Sequence, residues 1–324
     1  MSWLLYRWVW LLESPLHVGT TPAGNLSRCR LYVSFRALWG ALAAELARRK
    51  ASAFPSYQSI GEELQENARF TYLYPAQQIG DEWRAWLPCY QEGKGLVWRR
   101  EDQMDAEPVP DHKMRTRLLS TQAGTAIDPT SDTAAEGTLR ETECVTTHWR
   151  DVDQDPPPRV AMVGYVFLRD GSSLKDDLEA VRCITIGGDT RYGLGRLCRI
   201  PLTRKRGMVR DAEHALGGLG RIPLTSSGRV FDLGVELKDD DPIVYSSTVY
   251  AHAVIPPNKT SSDDAEEKGL IGNREMLVGW DSAKGGGLFV HRDPLWVPGS
   301  TVAGGETKCA KWKVRRDGLW EAVR

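Results

Sequence analysis

Ten residues near the start, Trp3 to Leu12 (WLLYRWVWLL), form an apolar run broken only by Tyr6 and Arg7, and their aromatic and β-prone side chains predict a strand. From Phe35 to Arg49 (FRALWGALAAELARR) the pattern changes. Leu38, Leu42 and Leu46 recur every four residues among alanines, which predicts an amphipathic helix with a basic end. Between residues 51 and 115, short strand candidates such as Phe70 to Tyr74 and Trp83 to Leu87 are punctuated by Pro and Gly. Residues 100–158 are acidic, carry Thr, Ser and Pro, and read as mostly irregular up to Pro156-Pro157-Pro158. Val160 to Leu168 (VAMVGYVFL) predicts a buried strand. A helix follows in which Leu174, Leu178 and Val181 share a face, with Ser172-Ser173 available as its cap. Cys183 to Ile186, a glycine-rich loop and a strand from Leu197 to Ile200 complete this part.

That order predicts an α+β chain built on a ferredoxin-like (RRM-type) βαββαβ domain over residues 1–200, with a large insertion at about 100–158. Residues 201–324 read as a less regular, β-rich C-terminal extension or a second degenerate ferredoxin-like unit, with short strands at Ile243 to Tyr250 and Lys311 to Arg315. Asp239-Asp240-Asp241 and Ser261 to Glu267 read as solvated loops.

A chain of 324 residues fits about two domains, or one with large insertions. No apolar stretch approaches the ~18–20 residues of a membrane span, and the opening segment has neither the uninterrupted apolar run nor the cleavage site of a signal peptide. The six cysteines, Cys29, Cys89, Cys144, Cys183, Cys198 and Cys309, form no CxxC pair, which points away from zinc ribbons and toward a reducing cytoplasm. The net charge of −1 hides segregation. Residues 1–50 carry +5, 101–158 carry −8, 186–229 carry +6 and 230–270 carry −6. Of the 42 basic residues, 30 are Arg, whose forked guanidinium suits phosphate contacts and stacking on bases. Such blocks can make a basic face on a neutral protein, the electrostatic footprint of a polyanion partner, or can cancel in space.

The loop Gly187-Gly188-Asp189-Thr190-Arg191-Tyr192-Gly193-Leu194-Gly195-Arg196 is the strongest local signal. Its glycines let backbone approach a ligand closely, and Arg191 and Arg196 add charge. The bland alternative is a glycine turn between two elements. A strand rather than a helix follows it, which argues against a dinucleotide fingerprint, and Walker A, HExxH and GxSxG patterns are absent. Glu141 with Glu143, Asp128 with Asp132, and Asp263-Asp264 lack helical spacing and read as solvated. His17, His112, His148, His214, His252 and His291 show no metal-ligand spacing, and His17 reads best as a loop histidine bonded to backbone. No catalytic residue, metal or cofactor is expected.

Three separated stretches resemble the repeat-associated (RAMP) superfamily of CRISPR effector subunits, particularly its type III branch. They are Ser14-Pro15-Leu16-His17-Val18-Gly19 with Tyr32 to Leu42, then Thr125 to Glu143, then Ile186 to Arg196. The resemblance implies a non-catalytic crRNA-binding subunit, III-D-like or related, that caps the 5′ repeat-derived tag. Its implied partners are the other RAMP subunits and, indirectly, target RNA, with no membrane involved. It implies that the glycine loop and the first helix hold RNA. The expected contacts are His17, Arg28, Arg30, Tyr32 and Arg36 on one side and Gly187, Gly188, Thr190, Arg191, Tyr192, Gly193, Gly195 and Arg196 on the other. Trp39 is as good a core residue as a contact. Relatives that cut target RNA carry an aspartate in the loop that here is Gly19 to Ser27 (GTTPAGNLS), with no acid. A repeated backbone subunit, or a metal-independent repeat-processing RNase using His17, are the alternatives.

Overall fold

The computed structural model describes residues 3–51, 53–150, 155–200, 220–221, 228–231, 233–237, 241–255, 269–281, 287–290, 293–303 and 309–323. It is a mixed α+β structure, mostly strands, with four α-helices among the described residues.

Strand β1 (Trp3–Leu12) is buried on both faces, which is why its sequence runs apolar instead of alternating. After β2 (Leu26–Ser27), helix α1 (Phe35–Lys50) buries Leu38, Leu42, Leu46 and three of its alanines, and ends on Arg48, Arg49 and Lys50, where cations suit the helix dipole. Helix α2 (Tyr57–Asn67) leads into β3 (Ala68–Phe70), and a meander of β4 (Tyr74–Ile79), β5 (Glu82–Gln91) and β6 (Gly95–Arg100) follows. Then come β7 (Val109–Pro110), α3 (Asp111–Leu118), β8 (Leu119–Gly124), β9 (Ile127–Asp128), β10 (Thr133–Ala134) and β11 (Arg140–Val145). Strand β12 (Ala161–Arg169), α4 (Leu174–Ala180), β13 (Cys183–Thr185) and β14 (Arg196–Arg199) close this part. The α4 entry is satisfied by Ser172, whose Oγ accepts from the Leu174 N–H at 3.2 Å.

The central pairing is antiparallel β1 on β12, running in register from Trp3↔Arg169 to Leu11↔Ala161. Strand β14 pairs on the other side of β1, and β3 and β4 pair on the far side of β12, all antiparallel. The order is therefore β13-β14-β1-β12-β4-β5-β6-β7. The sequences β1–α1–β3 and β12–α4–β14 each form a strand–helix–strand unit whose two strands are separated by one antiparallel neighbour.

Of residues 100–158, expected to be mostly irregular, the described stretch up to residue 150 is largely regular. It forms α3 and a hairpin of β8 with β11, paired from Arg140↔Gly124 to Val145↔Leu119. The sequence conceals it because the hairpin projects: only Leu119, Thr142, Cys144 and Val145 of its strands are buried, so no apolar alternation marks them. The cysteines also depart from the unpaired expectation. Cys183 and Cys198 face each other across β13 and β14 and form a disulfide with Cα atoms 4.1 Å apart, a pairing set by strand register.

The C-terminal part is a second, largely antiparallel sheet containing Ile243–Ser246, Ala310–Val314, Trp320–Val323, Ala253–Val254, Leu295–Trp296 and Arg274–Glu275. One hydrophobic core runs through both parts, with Tyr74, Tyr165, Phe231, Tyr250 and Trp320 meeting edge to face. No helix among the described residues is long and apolar enough to cross a membrane.

Asp241, expected in a solvated loop, instead anchors this junction. Its Oδ1 lies 2.9 and 2.6 Å from Nε and Nη2 of Arg69, a wholly buried side chain, and its Oδ2 lies 3.1 Å from Lys313. Asp239, Asp240 and the Ser261 to Glu267 segment lie outside the described residues. Asp241→Ala should cost about 3–5 kcal/mol of unfolding free energy in urea titrations, because it strands a buried guanidinium. Lys313→Ala, on the exposed side of the same carboxylate, should cost less than about 1 kcal/mol.

Candidate nucleic-acid interface

The chain leaving β1 is gripped on both edges. On one, Leu16 and Val145 exchange backbone hydrogen bonds of 2.9 and 2.8 Å with the hairpin root. On the other, the Gly195 N–H donates to Pro15 O at 2.8 Å and the Gly188 N–H to His17 O at 2.9 Å. The segment from 14 to 19, the end of the hairpin and the glycine loop thus converge although up to 180 residues separate them. Side chains lock the junction: Thr142 Oγ1 donates to Asp189 Oδ2 at 3.2 Å, Arg140 lies 3.7 Å from Asp189, and its guanidinium sits 4.3 Å from the Tyr192 ring centroid.

This packing gives the glycines a reason other than ligand approach. Gly187 and Gly195 have φ of +91° and +79°, and a Cβ on either would collide with backbone, the His17 carbonyl and the Ile186 carbonyl respectively. A Cβ on Gly188 would lie 2.8 Å from His17 Cδ2, whereas Gly193 faces open space. His17 is buried and its Nδ1 lies 2.7 Å from Glu143 O, the backbone-bonded role expected of it. Glu143 is not solvated. Its Oε2 accepts from the Cys29 N–H at 2.8 Å and from Arg115 at 2.7 Å, tying the loop after β1 to α3.

Residues 18–22, the first half of α1, the glycine loop, and segments 274–277 and 317–319 enclose an open groove of about 1190 Å³. Of the expected contacts, Arg30, Arg36, Gly187, Gly188 and Thr190 line it, as does Trp39, whose Nε1 donates to Gly61 O at 3.0 Å. His17, Arg28, Tyr32, Arg191, Tyr192, Gly193, Gly195 and Arg196 are outside its walls. Tyr32 in particular is no free stacking platform: its ring packs on Tyr72 with centroids 5.7 Å apart, and its hydroxyl lies 3.4 Å from Glu275. Arg28, Arg191 and Tyr192 are exposed beside the groove.

The groove walls include residues that the sequence did not single out, Tyr72, His252, Arg274 and Glu275. Three of them form a chain with Arg30. The Tyr72 hydroxyl lies 2.6 Å from His252 Nδ1, His252 Nε2 lies 2.5 Å from Glu275 Oε1, and Arg30 Nη2 donates to Glu275 Oε2 at 2.7 Å. Burial lowers the His252 pKa despite the pull of Glu275, which keeps the ring neutral. Tyr72 then donates to Nδ1, and Nε2–H donates to the carboxylate. Burial would push Glu275 up, but the His252 hydrogen bond and the Arg30 charge hold it at about 2. Only the fold brings residues 30, 72, 252 and 275 together, so no sequence spacing could have flagged them. Among the described residues, no group of three or more His, Cys, Asp or Glu could hold a metal ion.

No family model and no curated protein matches the chain. Among solved structures, the chain is similar to one in the Type III-B Cmr-beta complex bound to cognate target RNA and AMPPnP, at 12% identity and a TM-score of 0.49, covering 92% of this chain and 85% of that one. A chain of the same complex in its apo state gives a TM-score of 0.38 at 12% identity, over 61% of this chain and 96% of that one. A third, from the complex bound to cognate target RNA, gives 0.37 at 11% identity, over 60% and 96%.

What the geometry offers chemically is a groove lined by guanidinium groups from different parts of the chain, the Trp39 indole, and a carboxylate already satisfied by Arg30 and His252. Two outcomes follow from it. Gly187→Ala should lower stability by about 2 kcal/mol or more, since strained φ and a backbone collision coincide, while Gly193→Ala should cost about 1 kcal/mol for φ alone; thermal melts of the two variants compare them. The depressed pKa values of Glu275 and His252 both mean that the unfolded chain binds protons first as pH falls. Stability from His252 is present above its ordinary value near 6.5 and fades below it. That from Glu275 is present above about 4.5 and is lost toward about 2. Urea midpoints measured from pH 7 to pH 3 should drop in wild type, and less steeply in His252→Gln with Glu275→Gln.

Proposed function

We propose that this chain is a crRNA-binding structural subunit of a type III CRISPR ribonucleoprotein, holding the 5′ repeat-derived tag of the guide in the groove between α1 and the glycine loop. The observation that carries the reading is convergence. Of the three stretches that resemble the RAMP superfamily, the first and third meet through direct backbone bonds, the second reaches both through the His17–Glu143 and Thr142–Asp189 hydrogen bonds, and parts of the first and third wall one open groove. Chance likenesses in three stretches have no reason to assemble.

The strand order β14-β1-β12-β3, antiparallel throughout, with α1 and α4 as the two crossovers, supports a ferredoxin-like core under this reading. The groove supports RNA chemically. Arg36 and Arg274 stand on different walls, and Trp39 with Leu277 offers apolar surface for a base, the combination that single-stranded nucleic acid sites use. The role is scaffolding in a cytoplasmic complex, with other RAMP subunits as neighbours and target RNA met through the guide. Cutting is assigned elsewhere because the loop Gly19 to Ser27 presents no carboxylate to a phosphate-bound Mg²⁺.

Filter binding of labelled tag RNA to the purified protein over a salt series tests this. Arg36→Gln with Arg274→Gln should weaken binding and flatten the log–log salt slope by about 0.7 for each phosphate contact removed. RNA incubated with Mg²⁺ should remain intact. Absence of salt-dependent binding by the wild type would refute the reading, and cleavage abolished by Asp128→Ala would replace scaffolding with catalysis.

A further inference from the structure

A second basic site lies just beyond the groove. Glu45, Arg49, Arg182, Cys183, Ile184, Thr185 and Arg196 surround an open pocket of about 260 Å³. Three of these residues are arginines from three places in the chain: the end of α1, the entry to β13 and the start of β14. Strand alternation explains how they meet. Ile184 and Leu197 are buried, so Cys183 and Thr185 share the outward face of β13 with Arg196 and Cys198 of β14. Thr185 is the register partner of Arg196, and Cys183 that of Cys198. The Cys183–Cys198 disulfide therefore staples the strand pair that presents Arg196.

The charges are available. Arg182 and Arg196 are exposed, and among the described residues neither side chain has a hydrogen-bond or ion-pair partner. Arg49 is oriented by Glu45 at 2.7 Å and by the Ala180 carbonyl at 2.8 Å. Glu45, the pocket's carboxylate, is already bound by both Arg48 and Arg49. Burial would push its pKa up, but the two arginines outweigh that and keep it ionised and neutralised. Behind the pocket, burial pushes Arg199 down to about 10, while the Glu179 charge raises it and the like charge of Arg49 lowers it by less.

The pocket is also contiguous with the groove, because Thr185 lines both. We infer that the Arg49–Arg182–Arg196 pocket is a second phosphodiester-binding site, and that single-stranded RNA lying in the groove crosses Thr185 to reach it. This rests on the RNA-binding reading of the groove and adds the direction in which the strand leaves. It also gives Arg196, which the groove does not use, a place on the track. Guanidinium suits this task, since its planar fork pairs with phosphate oxygens and it stays charged at every working pH.

Oligouridylates of about 4 and about 12 nucleotides, spanning the lengths single-strand sites accommodate, test the inference by fluorescence anisotropy over a salt series. In Arg182→Gln with Arg196→Gln, affinity for the longer oligomer should fall about tenfold and the salt slope by about 1.4, two single-strand phosphate contacts. Binding of the shorter oligomer should not change. The corresponding Lys pair should restore the slope, which separates lost charge from lost fold. An unchanged longer oligomer, or equal weakening of both lengths, would overturn the inference while leaving groove binding standing. If wild type binds neither length, the groove reading fails and takes this one with it. Longer oligomers with a 5′-hydroxyl and a 5′-phosphate should bind alike; a gain confined to the phosphorylated form would mean that the pocket takes a chain end, and would overturn the continuous track.

Discussion

The short backbone strip Pro15-Leu16-His17 has partners on both edges, and the rest of the interface is arranged around that constraint. Leu16 is tied to Val145, while Pro15 and His17 receive the N–H groups of Gly195 and Gly188. Each such bond adds only about 0.5–1.5 kcal/mol net, but leaving one of these buried groups unpaired costs about 1–3 kcal/mol. The strip therefore fixes the hairpin root and the glycine loop relative to β1, which is itself held by the long register with β12. The loop lies so close that side chains are excluded at Gly187 and Gly195. Steric demand from the protein's own backbone, rather than from a ligand, explains these two glycines.

The charge blocks look different once folded. Some of the acids between residues 101 and 158 are internal wiring: Glu101 pairs with Arg7 and Glu143 with Arg115. Asp241 likewise serves Arg69, and Glu275 serves Arg30. These carboxylates neutralise arginines that the fold has taken out of water, since a buried guanidinium without a partner is far costlier than the pair. Among the described residues, Arg28, Arg182 and Arg196, near the groove and the pocket, have no carboxylate partner. Net charge near zero and a local basic surface are therefore compatible.

Legibility in the sequence followed the strength of local pattern. The bounds of β1 are those its apolar run predicts, and α1 ends within one residue of its predicted limit, because periodicity and burial agree there. The hairpin of β8 and β11 was invisible because projecting strands bury only their roots. Tyr32, Glu143 and Asp241 were misread for another reason: their environments come from partners at positions 72, 115 and 69. Local polarity says a carboxylate is hydrophilic; it does not say whether water or an arginine satisfies it. The disulfide depends in the same way on a register that no cysteine spacing states. The glycine loop lies where the sequence places it, but its expected contacts divide: Gly187, Gly188 and Thr190 line the groove, while Arg191, Tyr192, Gly193, Gly195 and Arg196 lie beyond it.

Arg30 shows how the floor of the groove controls what the walls can do. Its guanidinium donates to the Gly19 carbonyl and to Glu275, and Glu275 is in turn held by His252. With its pKa at about 2, Glu275 is ionised throughout the neutral range, so Arg30 contributes little net charge toward a ligand. It ties the Gly19 backbone to Glu275 of the C-terminal sheet. In the proposed role, phosphate contact is assigned to Arg36 and Arg274, which line the groove from different parts of the chain. Neither the N-terminal nor the C-terminal part can make the site alone, because one brings the glycine loop and Arg36 and the other brings Arg274 and the carboxylate that positions Arg30. Their shared core is thus as much a part of the groove as the arginines.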